Sequence, residues 1–252
     1  MKREGTCGTG GAVYDRIGVG YAELRRPDPH FRRAIEDAVG SGTVVNVGAG
    51  TGSYEPASTV VAVEPSPVML AQRPRGSAPA VQAVAEALPF ADNAFDVALA
   101  LFTTHHWTDA RTGLRELTRV SRRQVVLTWD QAYNAEHFWF VRDYLPEAAA
   151  REAGLAALAT TLEAWPGAQV RVVEVPHDCT DGFFAAYWRR PEAFLVPAVR
   201  SAISALALLD PEVVDRAVSR LAADLDTGAW ARRYAGLLAR ETLDCGYGLV
   251  LR

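Results

Sequence analysis

The run Val44-Val45-Asn46-Val47 breaks at once into Gly48-Ala49-Gly50-Thr51-Gly52, and a second apolar run, Val60-Val61-Ala62-Val63, ends on Glu64. This pair constrains the fold more than anything else in the chain. A short run rich in β-branched residues reads as a buried strand. Alternating glycines after it make a tight loop whose backbone can approach a ligand that any Cβ would exclude. A carboxylate ending the next strand is placed to accept both hydroxyls of a ribose, as in nucleotide-binding βαβ units. A nucleoside-bearing ligand is therefore the first expectation.

The loop spacing is Gly-x-Gly-x-Gly rather than the Gly-x-Gly-x-x-Gly of dinucleotide sites. No Gly-x-x-x-x-Gly-Lys-Ser/Thr loop is present, and Lys2, the only lysine, cannot supply one. The expected ligand carries a ribose and little phosphate.

Strands are expected at 43–47, 60–64, 80–84, 96–102 and 124–129, with helices at 53–57, 66–73 and 109–120. Such alternation implies a parallel sheet covered on both faces. Residues 13–40 read as helical, broken at Pro27 and Pro29, and Gly40 stops the last helix after Phe31, Ala34, Ile35, Ala38 and Val39 at helical spacing. Beyond Asp130 the rhythm changes to helices at 136–145 and 147–163, a strand at 169–175, several helices through 180–240 and a last strand at 248–251. The organisation expected is a single domain, 1–252, with a core of about 41–178 plus 247–252. The N-terminal helices 13–40 and a helical insertion, 179–246, would cover it as a lid.

With 252 residues, 49% of them hydrophobic, the chain can bury a full core, and a net charge of −4 without a basic run argues against nucleic acid as a partner. Cys7, Cys179 and Cys245 are far apart and odd in number, which indicates neither a disulfide framework nor a zinc site. The first residues lack the apolar stretch of a signal peptide, and no apolar run is long enough to span a membrane. A cytoplasmic protein, monomer or homodimer, is expected.

Five segments then occur in order: Val-Val-Asn-Val-Gly-Ala-Gly-Thr-Gly from Val44, Val-Ala-Val-Glu-Pro-Ser from Val61, Ala-Glu-Ala-Leu-Pro-Phe from Ala85, Phe-Asp-Val-Ala-Leu-Ala from Phe95, and His-His-Trp-Thr-Asp from His105. Across residues 41–130 this order resembles the class I S-adenosylmethionine-dependent methyltransferases, in particular their small-molecule, type 11 branch. The resemblance implies an α/β, Rossmann-like, seven-stranded and mostly parallel sheet, helices on both faces and an antiparallel last strand. The closing hairpin would join 169–175 to 248–251. It also implies S-adenosyl-L-methionine as cofactor and S-adenosyl-L-homocysteine as product. Gly48, Ala49, Gly50 and Gly52 would line the methionine part, and Glu64 would hold the ribose. Pro65 and Met69 would flank the adenine, Ala85 and Glu86 would meet its edge, and Leu101 would lie under the sulfonium. In similar enzymes the N-terminal helix folds over the cofactor, which makes Tyr21 a candidate to close that end. Two positions depart from the family pattern. Asn46 stands where relatives usually carry an acidic residue, although it can still orient a cofactor amine. Val84 stands where an acceptor for the adenine amine is common.

Methyl transfer from a sulfonium is a displacement in which the protein aligns the nucleophile and excludes water. His105 and His106 follow the fourth strand at the carboxyl edge of the sheet, and histidine titrates near neutrality, so either can take a proton from the acceptor. No metal is expected. Tyr14, Trp129, Tyr187 and Trp188, drawn from a set of aromatics that suits an apolar or ring-bearing molecule, and Asp130, just after the fifth strand, are the candidate substrate contacts. The activity expected is methyl transfer to oxygen, nitrogen or carbon of a small molecule in secondary metabolism. The alternative is a protein of the same fold that binds the cofactor without transferring its methyl group, as a cyclase, an isomerase or a regulatory binding protein.

Overall fold

The computed structural model describes residues 26–155 and 158–252. Its strands are β1 (Val44–Val47), β2 (Thr59–Val63), β3 (Ala80–Val81), β4 (Phe95–Leu101), β5 (Ser121–Trp129), β6 (Gln169–Val172), β7 (Val175–Pro176), β8 (Thr242–Leu243) and β9 (Tyr247–Leu251). Seven of them form one sheet in the order β3-β2-β1-β4-β5-β9-β6. The pairs among β1 to β5 are parallel. β9 enters antiparallel between β5 and β6, with Trp129 opposite Tyr247 and Gln169 opposite Leu251. The expected fold class and the closing hairpin are both present.

Side-chain alternation explains why the sheet is covered on both sides. Successive residues of a strand point to opposite faces. Val97 and Leu99 join Val125, Leu127 and Leu249 on one face, whereas Ala98 and Ala100 join Val45, Val47 and Val126 on the other. Helix α1 (Pro29–Val39) brings Phe31, Ile35 and Val39 to the first face. After the short α2 (Pro67–Ala71), helix α3 (Ala110–Val120) brings Leu114, Leu117 and Val120 to the second.

Between β1 and β2 the expected helix at 53–57 is absent, and the chain returns through turns alone. Tyr54 sits there with a left-handed φ of 61°. Its buried side chain ties the return to two distant segments. The Tyr54 hydroxyl accepts from the Asp28 backbone N–H at 3.0 Å and donates to Asp181 Oδ2 at 2.8 Å. Asp28 in turn caps α1 through His30 N and Phe31 N, while its other oxygen accepts from Thr180 N at 2.9 Å.

The C-terminal half is more broken than expected. In place of one helix at 136–145 stand α4 (Gln131–His137) and a π-helical turn, Phe140–Tyr144. The expected 147–163 divides into α5 (Pro146–Glu152) and α6 (Leu158–Ala164). The strand at 169–175 divides too: β6 stays in the main sheet while β7 leaves it to pair with β8. Everything between β7 and β8 is the helical insertion. It packs through aromatic rings, with Phe194 stacked on Phe140 at 4.1 Å and Trp230 edge-on to Trp139 at 5.2 Å.

Replacing Tyr54 by Phe keeps the ring but strands the buried Asp28 N–H, worth roughly 1–3 kcal/mol when left unpaired, and removes one hydrogen bond from Asp181, which still accepts from Gly182 N. Urea titration of Tyr54→Phe is expected to show a loss of that order, and an unchanged midpoint would contradict the tethering role.

Candidate functional site

The glycine loop lies at the carboxyl end of β1. Gly48 N and Ala49 N donate to Val63 O at 2.8 and 3.0 Å, so the loop is sewn to the end of β2. Gly48, Gly50 and Gly52 all have positive φ, at 69°, 52° and 91°. At Gly48 a Cβ would stand 2.0 Å from Thr103 Oγ1, and at Gly50 it would stand 3.3 Å from Met69 Cε. Glu64, 6% exposed, reaches back under this loop. Its Oε2 accepts from Gly50 N at 2.8 Å and its Oε1 from Ser66 N at 2.9 Å. Ser66 caps α2 by accepting from Met69 N, which fixes the buried Met69 beside Gly50. Pro65 is half-buried between them. Loop, carboxylate, Pro65 and Met69 thus converge at one edge, a cradle of small residues with a fixed anion at its rim, the N–H groups of residues 48, 49, 50 and 52 being bonded within the fold. A backbone open to close approach beside a carboxylate acceptor fits the amino-acid and ribose parts of S-adenosylmethionine.

Asn46 is 2% exposed, and its Nδ2 donates to Glu55 Oε2 at 3.1 Å. Arg73 Nη2 meets both Glu55 oxygens at 2.8 Å, with the two side chains 6% and 8% exposed. The carboxylate missing at Asn46 therefore stands next to it, on the return loop, and is neutralised by an arginine. Neither Glu55 nor Arg73 was legible as part of the site, because eighteen residues and a strand separate them.

The remaining cofactor candidates divide. Ala85 is buried, and Leu101 is half-buried at the end of β4. Glu86 accepts from Asp109 N at 3.0 Å, so its carboxylate holds the turn into α3. Val84 is 45% exposed. Tyr14 and Tyr21 lie outside the described residues.

His105 and His106 occupy a 3-10 turn, Thr104–His106, directly after β4, with ring centres 3.7 Å apart. Trp129, ending β5, stands edge-on to His105 at 4.6 Å. Beside them opens a cavity walled by Phe102, Trp129, Phe183, Phe184 and Tyr247, with His105, Asn134, Glu152 and Ser204 as its polar members. Three substrate candidates fall elsewhere. Asp130 is the N-cap of α4, accepting from Tyr133 N at 3.0 Å. Trp188 is fully buried and donates to Val175 O and Pro176 O, so it packs the root of the insertion. Tyr187 lies under the Arg190 guanidinium at 5.0 Å and against Phe194. Neither ring lines the cavity. Burial lowers the His106 pKa to about 4, so this imidazole is neutral at physiological pH. Burial also raises Glu152 to about 7, against an opposing hydrogen bond from Trp129. Among the described residues no cluster of His, Cys, Asp and Glu has the makings of a metal site, and no helix is long and apolar enough to cross a membrane.

Known proteins agree with this geometry. A family model of the methyltransferase domain matches residues 38–128. Demethylmenaquinone methyltransferase of Mycolicibacterium paratuberculosis is 32% identical over 162 residues, which cover 55% of this chain and 69% of that protein. The match to uncharacterized protein YafE of Escherichia coli is 51% identical but spans only 16% of this chain and 19% of that protein. Among solved structures, a protein described as a methyltransferase from an antibiotic biosynthesis pathway of Anabaena variabilis superposes with a TM-score of 0.81 at 30% identity, over 90% of this chain and 98% of that one. The sheet order and glycine-loop site define a class I methyltransferase fold. The chain belongs to the S-adenosylmethionine-dependent methyltransferase family, whose cofactor is S-adenosyl-L-methionine.

Two outcomes follow from the site itself. Gly48→Ala forces a Cβ into Thr103 at a left-handed backbone, and a thermal shift should show a loss exceeding the roughly 1 kcal/mol typical of an incompatible glycine replacement; an unaltered melting temperature would count against the close approach. The folded state holds His106 near pKa 4 while the unfolded chain protonates it near 6.5. The unfolded state alone therefore binds that proton between these values, and stability falls as pH drops through the window. In His106→Gln the acid-side fall in melting temperature should be shallower, and equal slopes would refute the assignment.

Proposed function

We propose that this chain is a single-domain enzyme that transfers the cofactor methyl group to oxygen, nitrogen or carbon of a small-molecule acceptor in secondary metabolism. The observation that carries the reading is the meeting of two half-sites at one sheet edge: Glu64 bonded to Gly50, and the aromatic cavity that His105 borders. When bound, S-adenosylmethionine supplies an electrophilic methyl group at a sulfonium. The chain's own residues do the rest. The glycine loop and Glu64 orient the cofactor, Phe102, Phe183 and Trp129 exclude water, and His105 borders the space the acceptor would occupy. A cavity of this kind suits a small apolar molecule better than a nucleic acid, and the Anabaena variabilis structure, described as belonging to an antibiotic pathway, supports the metabolic setting. The insertion that follows β7 acts as the lid over the acceptor.

Calorimetry with S-adenosylhomocysteine tests the cofactor half, and absence of binding at millimolar ligand sinks the reading. Glu64→Ala should weaken binding about 10- to 100-fold, the worth of one or two hydrogen bonds to a charged group. Glu64→Gln keeps the contact to Ser66 in shape and should fall between. With the acceptor in hand, S-adenosylhomocysteine should form one for one with methylated product. Turnover that leaves none would favour the cyclase or isomerase alternative.

A further inference from the structure

Glu152 is a carboxyl in the acceptor cavity that the reading above leaves without a task. It ends α5 and lines the cavity together with Trp129, while its backbone carbonyl accepts from Gln131 Nε2 at 2.8 Å. The cavity offers it little competition. Asn134 already donates to Cys245 O at 2.8 Å, and His105 is the titratable group opposite. Arg151, the neighbour in sequence, is exposed. The elements packed on α5 are α4, the 140–144 turn and the short helix Ser204–Ala207. On α4, Glu136 is exposed and His137 is stacked on Tyr133. In the turn, Arg142 pairs with Asp143, and residues 204–207 carry no charge. Among the described residues no cation lines the cavity, and burial outweighs the charge of the exposed Arg151, in keeping with the raised pKa of this carboxyl.

The occupant follows from that chemistry. Walls of Phe102, Phe183 and Tyr247 suit a flat, apolar body. A sulfonium held by the glycine loop and Glu64 would bring a positive charge to this edge, which would disfavour a second cation in the acceptor. A neutral hydroxyl satisfies both demands, since it donates to the carboxylate and brings no charge. We propose that Glu152 receives the hydroxyl of a planar, largely apolar acceptor, accepting its hydrogen bond and then its proton. The acceptor oxygen forms the new bond to the methyl carbon, the carbon–sulfur pair stays on sulfur, and the hydroxyl proton passes to the carboxylate. Cation, carboxylate and alcohol become thioether, carboxylic acid and methyl ether, with charge and atoms balanced. This assignment rests on the methyltransferase reading and names its acceptor class.

The probe is 2-naphthol, with 2-methoxynaphthalene as the analogue lacking the donor, each titrated by fluorescence with S-adenosylhomocysteine present. In the wild type, naphthol affinity should rise about tenfold from pH of about 5.5 to about 8.5 as the carboxyl ionises, while the ether shows no pH dependence. In Glu152→Gln the rise should vanish, and in His105→Asn it should persist. In the unaltered protein, calorimetry near neutral pH in buffers of different ionisation enthalpy should show proton release on naphthol binding. Equal binding of naphthol and ether, an unchanged pH dependence in Glu152→Gln, no proton release, or no naphthol binding at all would overturn the assignment. Failure of S-adenosylhomocysteine to bind would instead strike the methyltransferase reading, and the naphthol titration without it would still report on Glu152.

Discussion

The return from β1 to β2 carries no helix, and much of the molecule is organised by how that is resolved. In a βαβ unit the helix behind the glycine loop normally satisfies the loop's backbone and holds it against the sheet. Here side chains take its place. Glu64 accepts from the middle glycine, Glu55 joins Asn46 of β1 to Arg73 beyond α2, and Tyr54 ties the same return to the cap of α1 and to Asp181 in the insertion. Each tether is a buried polar group, which destabilises when broken and adds little when merely counted. The arrangement makes the loop's shape conditional on three distant parts of the chain being in place.

That dependence marks the boundary of what the amino-acid order discloses. The core strands were legible because burial on both faces writes itself as runs that are apolar but for one residue, such as Val44–Val47 around Asn46 and Phe95–Leu101 around Asp96. The glycine loop was legible because a left-handed backbone is a demand met within the loop itself. The helix expected at 53–57 failed for a tertiary reason: Tyr54 takes a left-handed conformation to reach Asp28 and Asp181, and no local propensity reports that. The long helices expected after Asp130 failed similarly. The π-turn at 140–144 rotates Phe140 and Tyr144 into the aromatic cluster, an arrangement set by Phe194, Trp230 and Tyr234 far along the chain.

The two halves of the candidate site differ in the same way. The cofactor half is built by residues 46–69, contiguous enough for motif and spacing to point at Gly48, Gly50, Glu64 and Met69. Adjacent residues hid Glu55, since a lone acid in a loop has no signature until its partners are known. The cavity proposed for the acceptor is gathered from Phe102, Trp129, Glu152, Phe183 and Tyr247, which come from separate parts of the chain. Aromatic content alone drew attention to Tyr187 and Trp188, which the fold spends on packing, and gave no reason to prefer Phe183 or Tyr247. A carboxyl at the end of an ordinary amphipathic segment, as Glu152 is, carries no mark in one dimension.

The small β7–β8 ladder has a consequence for how such a chain can diversify. Val175 pairs with Leu243 and Pro176 with Thr242, so the insertion leaves and re-enters the sheet domain through one two-stranded clasp. Beyond this clasp the insertion can change length without shifting the strand register, provided Thr180 and Asp181 keep their bonds to Asp28 and Tyr54 and its rings stay packed on Trp139 and Phe140. Phe183, Phe184 and Ser204 lie past the clasp, whereas Glu64 and the glycine loop lie before it. The wall of the cavity can therefore vary while Glu64 and the glycine loop stay as they are, so long as Asp181 keeps its bond to Tyr54.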